Sequence, residues 1–307
     1  MPGTYPASPP TLSGDLETIS RFLQSPQQIL RRLRSFSDLR FVADQVLTQR
    51  FRSQGGAVLY EQSEPFVSDR AVEAVSAGST YPYANLPTGT AAIGAIQKWG
   101  QKTLLTDEEI ARNFYAGAAV DRSLRKVVNS VIKQVDGIAM SAVFSAVTAT
   151  QAVSAAWNGG SAKFLLDVLL AKAKIVGLNL GYVPDTLLLN DAQYAYLMSD
   201  TIITNALRRE TTDNPVYSGA IEVIAKLNIV VSPAVVAGGA WVLDSKQLGG
   251  MADEVDGAPG YAISDLAVQV KSIRKDDQDA WDLQGRRKTV PVVQEPGAGC
   301  QITGTVI

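Results

Sequence analysis

The chain has 307 residues, 46% of them apolar and 19% charged, which is typical of one large folded domain or two moderate ones. It has no histidine and one cysteine, Cys300, which excludes Ser-His and Cys-His catalysis, zinc sites built on those residues, haem ligation by histidine, iron–sulfur clusters and an intramolecular disulfide. The formal charge of −2 favours neither a nucleic acid nor a membrane as a partner.

The N-terminal 52 residues combine a loose leader with a basic arm. Residues 1–14 are rich in Pro, Gly and Ser and predict an extended leader, without the apolar run of a signal peptide. Residues 15–52 predict a basic helical segment, either a solvated face or an arm that pairs its arginines on a neighbouring subunit. Nucleic-acid contact is a third alternative, weakened by the lack of interleaved aromatic residues. The arginines predicted for a subunit interface are Arg31, Arg32, Arg34, Arg40, Arg50 and Arg52.

Residues 55–105 predict a two-stranded excursion with a long tip. Ala57–Tyr60 is a short apolar strand, and the run Ala91–Leu105 is its return. An isolated hairpin is marginal in water, so this one needs a surface to lie on, either in a neighbouring subunit or, as an ordinary surface hairpin, on its own core. The aromatic residues predicted for an interface here are Tyr81, Tyr83 and Trp99.

A long helix is predicted from Thr106 to about Thr148. Thr106-Asp107-Glu108-Glu109 forms a capping box at its start. About 40 residues at ~1.5 Å per residue would give a rod of roughly 60 Å, which Gly117 and Gly137 either bend or interrupt. Such a helix needs a sheet or another helix packed along it. Its apolar stripe consists of Ile110, Phe114, Val120, Leu124, Val127, Val128, Val131, Val135, Ile138 and Ala142.

Residues 157–250 predict an α/β block. It begins with an amphipathic helix, Ser161–Val176, followed by the buried strand Thr186–Leu189. The residues expected to face inward on this helix are Phe164, Leu165, Val168, Leu169, Ala173 and Val176. The remaining predicted elements are the helices Ala192–Met198 and Thr201–Leu207 and the strands Ile229–Val231 and Ala240–Leu243.

Residues 261–307 alternate as strands do and predict a small antiparallel sheet that lies against the long helix. Its strands are Ala267–Ile273, Asp279–Leu283 and Gly285–Val293, and Arg286 and Arg287 are further interface candidates.

No chemical site is predicted: we assign no catalytic, cofactor-binding or metal-binding residue. Phosphate-binding and nucleophile-elbow motifs are absent from the sequence. Acidic residues cluster at 107–109, 253–256 and 276–279. Helix capping explains the first cluster, the second lacks the alternating ligand spacing of a calcium loop, and a solvated turn with local ion pairs explains the third. The uncharged run Gly137–Ala162 consists mainly of Ala, Ser, Thr and Gly, and this low hydrophobicity argues against a membrane span.

The order of these parts resembles the major capsid protein of a tailed bacteriophage. The resemblance rests on GGAVLYEQ…YPYANLPTGTAAIGAIQKWGQKTLLTDEEIARN, FLLDVLLAKAKIVGLNLGYVPDTLLLNDAQYAYL and SIRKDDQDAWDLQGRRKTVPVVQEPGAGCQITG, and it covers the chain from about residue 15 onward. It implies an α+β, Hong Kong 97-type phage capsid fold. The implied parts are an N-terminal arm (1–52), an extended loop (53–105), a spine helix with the first part of the peripheral domain (106–156), an axial domain (157–250) and closing strands of the peripheral domain (251–307).

The resemblance implies a structural protein of the virion, synthesised in the host cytoplasm, rather than an enzyme. Copies of the chain would form pentamers and hexamers of an icosahedral shell around double-stranded DNA, which it would contact without sequence specificity. The implied helpers are a portal and, because the 14-residue leader leaves no room for a fused scaffold, a separate scaffolding protein. Two alternatives stay open: the shell of an encapsulin-like nanocompartment and a histidine-free cytosolic α/β enzyme.

Some relatives join their subunits through an isopeptide bond from a lysine on the extended loop. Ala57–Gln97 contains no lysine, and Lys98 lies on the return strand. We therefore predict no cross-link at the loop tip, and denaturing mass spectrometry of assembled shells would reveal one as a covalent ladder.

Overall fold

The computed structural model describes residues 41–65, 67–112, 116–200, 221–236, 238–255, 258–263 and 267–306, with the side chains of 116–119 left out. The predicted leader, the arm up to residue 40 and the predicted helix Thr201–Leu207 lie outside these residues. Within them the helices are α1 (Ala43–Val46), α2 (Asp107–Arg112), α3 (Ala116–Ala146), α4 (Phe164–Val176) and α5 (Asp191–Ser199), with a 3-10 turn at Pro296–Ala298.

The strands of the described residues are β1 (Gln49–Arg52), β2 (Ala57–Gln62), β3 (Thr90–Ala95), β4 (Gln97–Thr106), β5 (Thr150–Ala152), β6 (Thr186–Leu189), β7 (Val223–Ile224), β8 (Leu227–Val231), β9 (Ala240–Leu243), β10 (Gly249–Asp253), β11 (Ala262–Ile263), β12 (Gln269–Lys275), β13 (Ala280–Val293) and β14 (Gly299–Thr303). Two compact units contain these elements. The described part of the first unit falls within Gly100–Val131 and Gly257–Arg287, and the second comprises Arg40–Trp99, Ile132–Asp256 and Lys288–Ile307.

The first unit contains an antiparallel sheet packed on the beginning of α3. β12 pairs with the first half of β13, from Gln269↔Arg286 to Lys275↔Ala280, and β11 pairs with β12. The prediction of separate strands on either side of Gln284 was wrong, because β13 runs continuously from Ala280 to Val293. A side chain at Gly285 would lie 2.9 Å from Cγ1 of Val127 on α3, so the glycine permits the close contact of strand and helix. The predicted packing of this sheet on the long helix is confirmed here.

The predicted helix start is confirmed. The N–H of Glu109 donates a hydrogen bond to the Thr106 hydroxyl at 3.2 Å, and α2 begins at the next residue, Asp107. Residues 113–115 lie outside the described residues, and α3 then runs without interruption through Gly117 and Gly137 to Ala146. Most described residues of the predicted apolar stripe are buried, whereas Ile110, Ile138 and Ala142 are half-buried.

One stretch of the described residues, Val120–Ala146 of α3, is long and apolar enough to cross a membrane by length and composition. Half of its most apolar window is buried inside the protein, and buried side chains recur along it at helical spacing. This is the pattern of a core helix.

The second unit contains a mixed sheet with the strand order β5-β14-β9-β6-β8-β7. β6 and β9 are buried at every position, because helices or loops cover the centre of such a sheet on both faces. β14 pairs antiparallel with β9 and parallel with β5. The sequence placed residues 299–303 with the closing antiparallel strands, and the structure corrects this.

A second correction concerns residues 49–52, which were predicted to be helical. They form β1, which pairs in parallel with β10 from Gln49↔Gly250 to Arg52↔Asp253. The preceding helix α1 ends at Val46, and the Thr48 hydroxyl then donates to the backbone oxygen of Ser245 at 2.6 Å. Neighbouring backbone partners therefore override the helical tendency of the sequence.

The orientation of α4 also differs from the prediction. Phe164 and Val168 are buried as expected, whereas Leu165, Leu169, Ala173 and Val176 are exposed. The other buried positions are Asp167, Ala171 and Ile175. A helix this rich in apolar residues has no single apolar stripe, so the sequence alone could not select its inner side.

Candidate subunit interfaces

The hairpin of β2 and β3 has one face on its own chain and one face exposed. Its inner face lies on the end of β13: an added side chain at Gly94 would contact Val290, and the Gln62 amide donates to the backbone oxygen of Val293 at 3.2 Å. On the outer face Leu59 and Ile93 stand directly opposite each other, and each is 72% exposed. This exposed apolar pair makes the outer face of the hairpin a candidate interaction surface.

The predicted return strand Ala91–Leu105 is divided into β3 and β4 at Ile96. The N–H of Ile96 donates to the backbone oxygen of Gly56 at 2.8 Å, which closes the base of the hairpin. The hairpin itself, predicted from the sequence, is confirmed as a separate two-stranded sheet.

The tip between β2 and β3 has no helix or strand among its described residues and is held by polar contacts. Asp69 accepts hydrogen bonds from the backbone N–H and side-chain amide of Asn85 at 2.9 and 3.1 Å. Tyr81 and Tyr83 on this tip are 82% and 96% exposed. Both tyrosines therefore present apolar rings with polar ends to solvent, as expected for contact residues.

The arginine candidates occupy different environments. Arg50 donates to Asp44 at 2.7 Å and lies 3.8 Å from Asp253, and Arg52 is exposed. Arg286 stacks on the ring of Tyr261, with 3.8 Å between guanidinium and ring centre. The other candidates Arg31, Arg32, Arg34 and Arg40 lie outside the described residues.

Two further candidates, Trp99 and Arg287, are less exposed and therefore less accessible to a neighbouring subunit. Trp99 is half-buried. Arg287 has no exposed surface and is the largest fully buried side chain among the described residues. A buried guanidinium cannot contact a neighbouring subunit, so we withdraw Arg287 from the proposed interface set.

An exposed apolar surface that was not predicted from the sequence lies on the outward side of α4. Leu165, Leu166, Leu169 and Leu170 are each between 38% and 44% exposed. The signal was present in the run FLLDVLLAKAKIV, which is apolar around the whole helix rather than along one stripe.

The residues that lead into β1 are anchored to α3 by one buried carboxylate. Asp136 accepts hydrogen bonds from the backbone N–H groups of Ala43 and Val42 at 2.9 and 3.2 Å. Both groups belong to the beginning of α1, and Asp136 is almost fully buried. This contact joins the start of α1 to α3.

In the first unit the acidic turn 276–279 is linked to the start of α2. Arg274 donates to both carboxylate oxygens of Asp107, to Asp276 at 3.2 Å, and lies 3.5 Å from Asp279. The hydrogen bonds from Arg274 lower the pKa of Asp107. The predicted local ion pairs of this turn are therefore confirmed, and the longer link to Asp107 was not predicted.

Buried polar groups elsewhere serve the fold. Tyr182 donates to Glu295 at 3.0 Å, and burial together with this carboxylate raises the pKa of Tyr182. Cys300 is fully buried, and burial raises the pKa of its thiol, which keeps it protonated. The part of the chain that the structure describes contains no group of three or more Cys, Asp or Glu placed to hold a metal ion.

Comparison with known proteins agrees with this architecture. A family model described as phage capsid protein matches residues 89–302. No curated protein matches the sequence significantly.

Among solved structures, the capsid of cyanophage P-SCSP1u is similar with a TM-score of 0.60 and 13% identity over 82% of this chain and 84% of that chain. A phage-related protein of Bordetella bronchiseptica has a TM-score of 0.58 and 16% identity over 90% and 96%. A virus-like particle from Pyrococcus furiosus has a TM-score of 0.57 and 12% identity over 89% and 99%. At these identities the likeness defines the fold alone.

The fold, with its extended hairpin, long helix and two mixed α/β regions, is the α+β fold of Hong Kong 97-type phage capsids. The family match covers more than half of the chain, and the chain accordingly belongs to the phage capsid protein family. It is a structural protein of a bacteriophage shell.

Proposed function

We propose that this chain is the major capsid protein of a tailed phage, the subunit that forms pentamers and hexamers and closes into an icosahedral shell around double-stranded DNA. The observation that carries the proposal is the outer face of the hairpin, where Leu59 and Ile93 are paired and exposed. An apolar face on an extended two-stranded element is stabilised when a neighbouring subunit covers it. Heterologous contacts between identical copies close into rings, which is how one chain builds capsomers.

The proposed parts of the subunit keep the boundaries given above: an arm to residue 52, an extended loop to 105, a spine region to 156, an axial domain to 250 and closing strands beyond it. The arm and the loop are the proposed contact elements, with Arg50, Arg52, Tyr81, Tyr83, Trp99 and Arg286 as interface residues together with Arg31, Arg32, Arg34 and Arg40. The role is structural and needs no catalytic group.

The proposed partners are further copies of the chain, a scaffolding protein, a portal and the packaged genome. Contact with DNA is electrostatic, and its strength falls with salt without a preference for base sequence. Filter binding at 50 and 200 mM salt with two unrelated duplexes tests this: equal affinity for both duplexes and weaker binding at the higher salt are expected.

Sedimentation velocity of the purified protein tests the proposal directly. Capsomers or megadalton particles are the expected species, whereas an enzyme of this size would sediment as a small oligomer. An encapsulin-like compartment, the alternative of the same fold, is the second candidate, and one structural neighbour is a virus-like particle from Pyrococcus furiosus, which is a cellular organism. Particles from the native source that contain DNA favour the capsid, and particles that contain a cargo protein favour the compartment.

A further inference from the structure

The outward side of α4 carries a strip of four leucines that the rest of the chain leaves half-exposed. We call Leu165, Leu166, Leu169 and Leu170 the leucine face. They form two pairs at a spacing of four residues, so their side chains are neighbours on the helix surface. The inward side of α4 packs on β14, β5 and β9 of the same chain.

The leucine face is larger than the scattered apolar residues of an ordinary surface. It continues along the helix through the exposed Ala173 and Val176 and past the helix end to Leu178. Contiguous apolar patches of this kind mark protein contacts or favour aggregation. The four leucines alone are too small for a specific interface, which buries about 800 Å² per partner, so the contact must include this extension.

Positive charge borders the leucine face. Lys163, Lys172 and Lys174 lie on α4 or directly before it. The ammonium groups of Lys172 and Lys174 donate to the backbone oxygens of Ala225 and Thr150, which hold the lysines in place without neutralising them.

The only acidic residue of α4, Asp167, lies on the buried side of the helix. Asp167 is fully buried and accepts hydrogen bonds from the backbone N–H of Ser154 at 2.9 Å and from the indole N–H of Trp157 at 3.0 Å. The exposed side of α4 is therefore apolar with a basic border.

We infer that the leucine face docks on a second copy of this chain, against a different and carboxylate-bearing part of that copy. The inference rests on the proposed assembly of copies into a shell. Two leucine faces meeting across a twofold axis would bring their lysines together, and opposed like charges disfavour that arrangement. A face that contacts a different surface on the next copy gives a heterologous contact, the type that closes into rings such as pentamers and hexamers.

The first test replaces two leucines by a polar residue of similar helix propensity, Leu166→Gln with Leu170→Gln. Because both side chains are already half-exposed, the unassembled subunit should keep the wild-type circular dichroism spectrum and Tm. We expect the protein concentration required for assembly to rise about tenfold or more, measured by sedimentation velocity. The matched control is Ile263→Gln on β11, outside the proposed contact elements, where the isoleucine is 39% exposed, and it should assemble as the wild type does.

Assembly of the double variant at the wild-type concentration would overturn the inference and leave the proposed shell function standing. A wild-type protein that forms no capsomer or particle would instead contradict the proposed function itself. The two failures are therefore distinguishable.

The second test maps the partner surface and does not depend on a destabilising change. A benzophenone amino acid at Leu169 is photoactivated in assembled particles, and the cross-linked peptides are identified by mass spectrometry. We expect links between copies that join residue 169 to a segment outside 163–176. Links between two α4 helices, or the absence of links between copies, would overturn the inference.

Discussion

Arg274 and Asp107 form a bidentate ion pair, in which the two terminal guanidinium nitrogens donate to the two carboxylate oxygens at 2.7 and 2.8 Å. The pair joins the end of β12 to the first turn of α2, residues that are 167 positions apart in the sequence. Planar guanidinium and carboxylate groups match in this geometry, which a lysine at position 274 could not reproduce.

This pair predicts a pH dependence of stability. The hydrogen bonds from Arg274 lower the pKa of Asp107 below its ordinary value of 3.8, so the folded state favours the ionised carboxylate. The resulting stabilisation is fully present above pH 3.8 and is lost as the pH falls through the lowered folded-state pKa. We expect Asp107→Asn to be less stable than the wild type at pH 7 and the difference to shrink below pH 3.8, measured by urea unfolding. Glu108→Gln, in the same helical turn, is the control and should show a smaller difference at pH 7.

A second prediction concerns the anchor between Asp136 and the start of α1. Asp136→Ala removes the acceptor of two backbone N–H groups and leaves them unsatisfied in a buried site, so we expect a loss of about 3 kcal/mol in the free energy of unfolding. Asp136→Asn keeps one acceptor oxygen and should lose less. Gln134→Ala, at an exposed position of the same helix, serves as the control. Equal stability of Asp136→Ala and the wild type would show that this carboxylate does not hold the segment.

A third prediction concerns the close contact of Gly285 and Val127. Gly285→Ala places a methyl group 2.9 Å from the valine and should destabilise the protein by about 1–3 kcal/mol. Val127→Ala alone should also destabilise it by removing a buried side chain, whereas the double variant should be more stable than the sum of the single effects predicts. A double-mutant cycle in denaturant measures this coupling, and strict additivity would contradict the contact.

A fourth prediction concerns the outer face of the hairpin. Leu59→Gln with Ile93→Gln should leave the Tm of the unassembled subunit unchanged, because both side chains are largely exposed there. In the shell each side chain is expected to be buried by a neighbour, where it contributes about 1.5–3 kcal/mol, so the assembled particle should dissociate at lower denaturant. Light scattering during a urea titration follows dissociation. Val255→Gln is the control at an exposed apolar site outside the two hairpin strands, and particles of the double variant as stable as those of the wild type would argue against a contact at this face.

Local signals in the sequence were sufficient to predict several helices and strands. The capping box at Thr106 defined the start of α2, and the glycine pair before Ala57 together with the prolines and glycines of the tip defined the hairpin. These features depend on hydrogen bonds and turn geometry within a few residues, which a sequence displays directly. The order of these elements along the chain was sufficient to identify the resemblance to phage capsid proteins.

Tertiary contacts decided the rest. Residues 49–52 form a strand because β10 offers a parallel partner, and β13 continues through Gly285 because β12 pairs with it there, with Val270 opposite Gly285. The absence of a side chain at Gly285 leaves room for Val127. Arg274 pairs with Asp107, which is far from it in the sequence. The burial of Arg287 depends on its tertiary surroundings. No local sequence pattern predicts either feature. The sequence did not predict which side of α4 is buried, because apolar residues surround the helix. The contact inferred above for the leucine face would cover the side that the chain itself leaves exposed.

Electron microscopy of the purified full-length chain in negative stain tests the central claim most directly. We expect closed shells, or rings of five and six subunits, in preparations at moderate protein concentration. A uniform field of small compact particles at every concentration, with neither rings nor shells, would contradict the account.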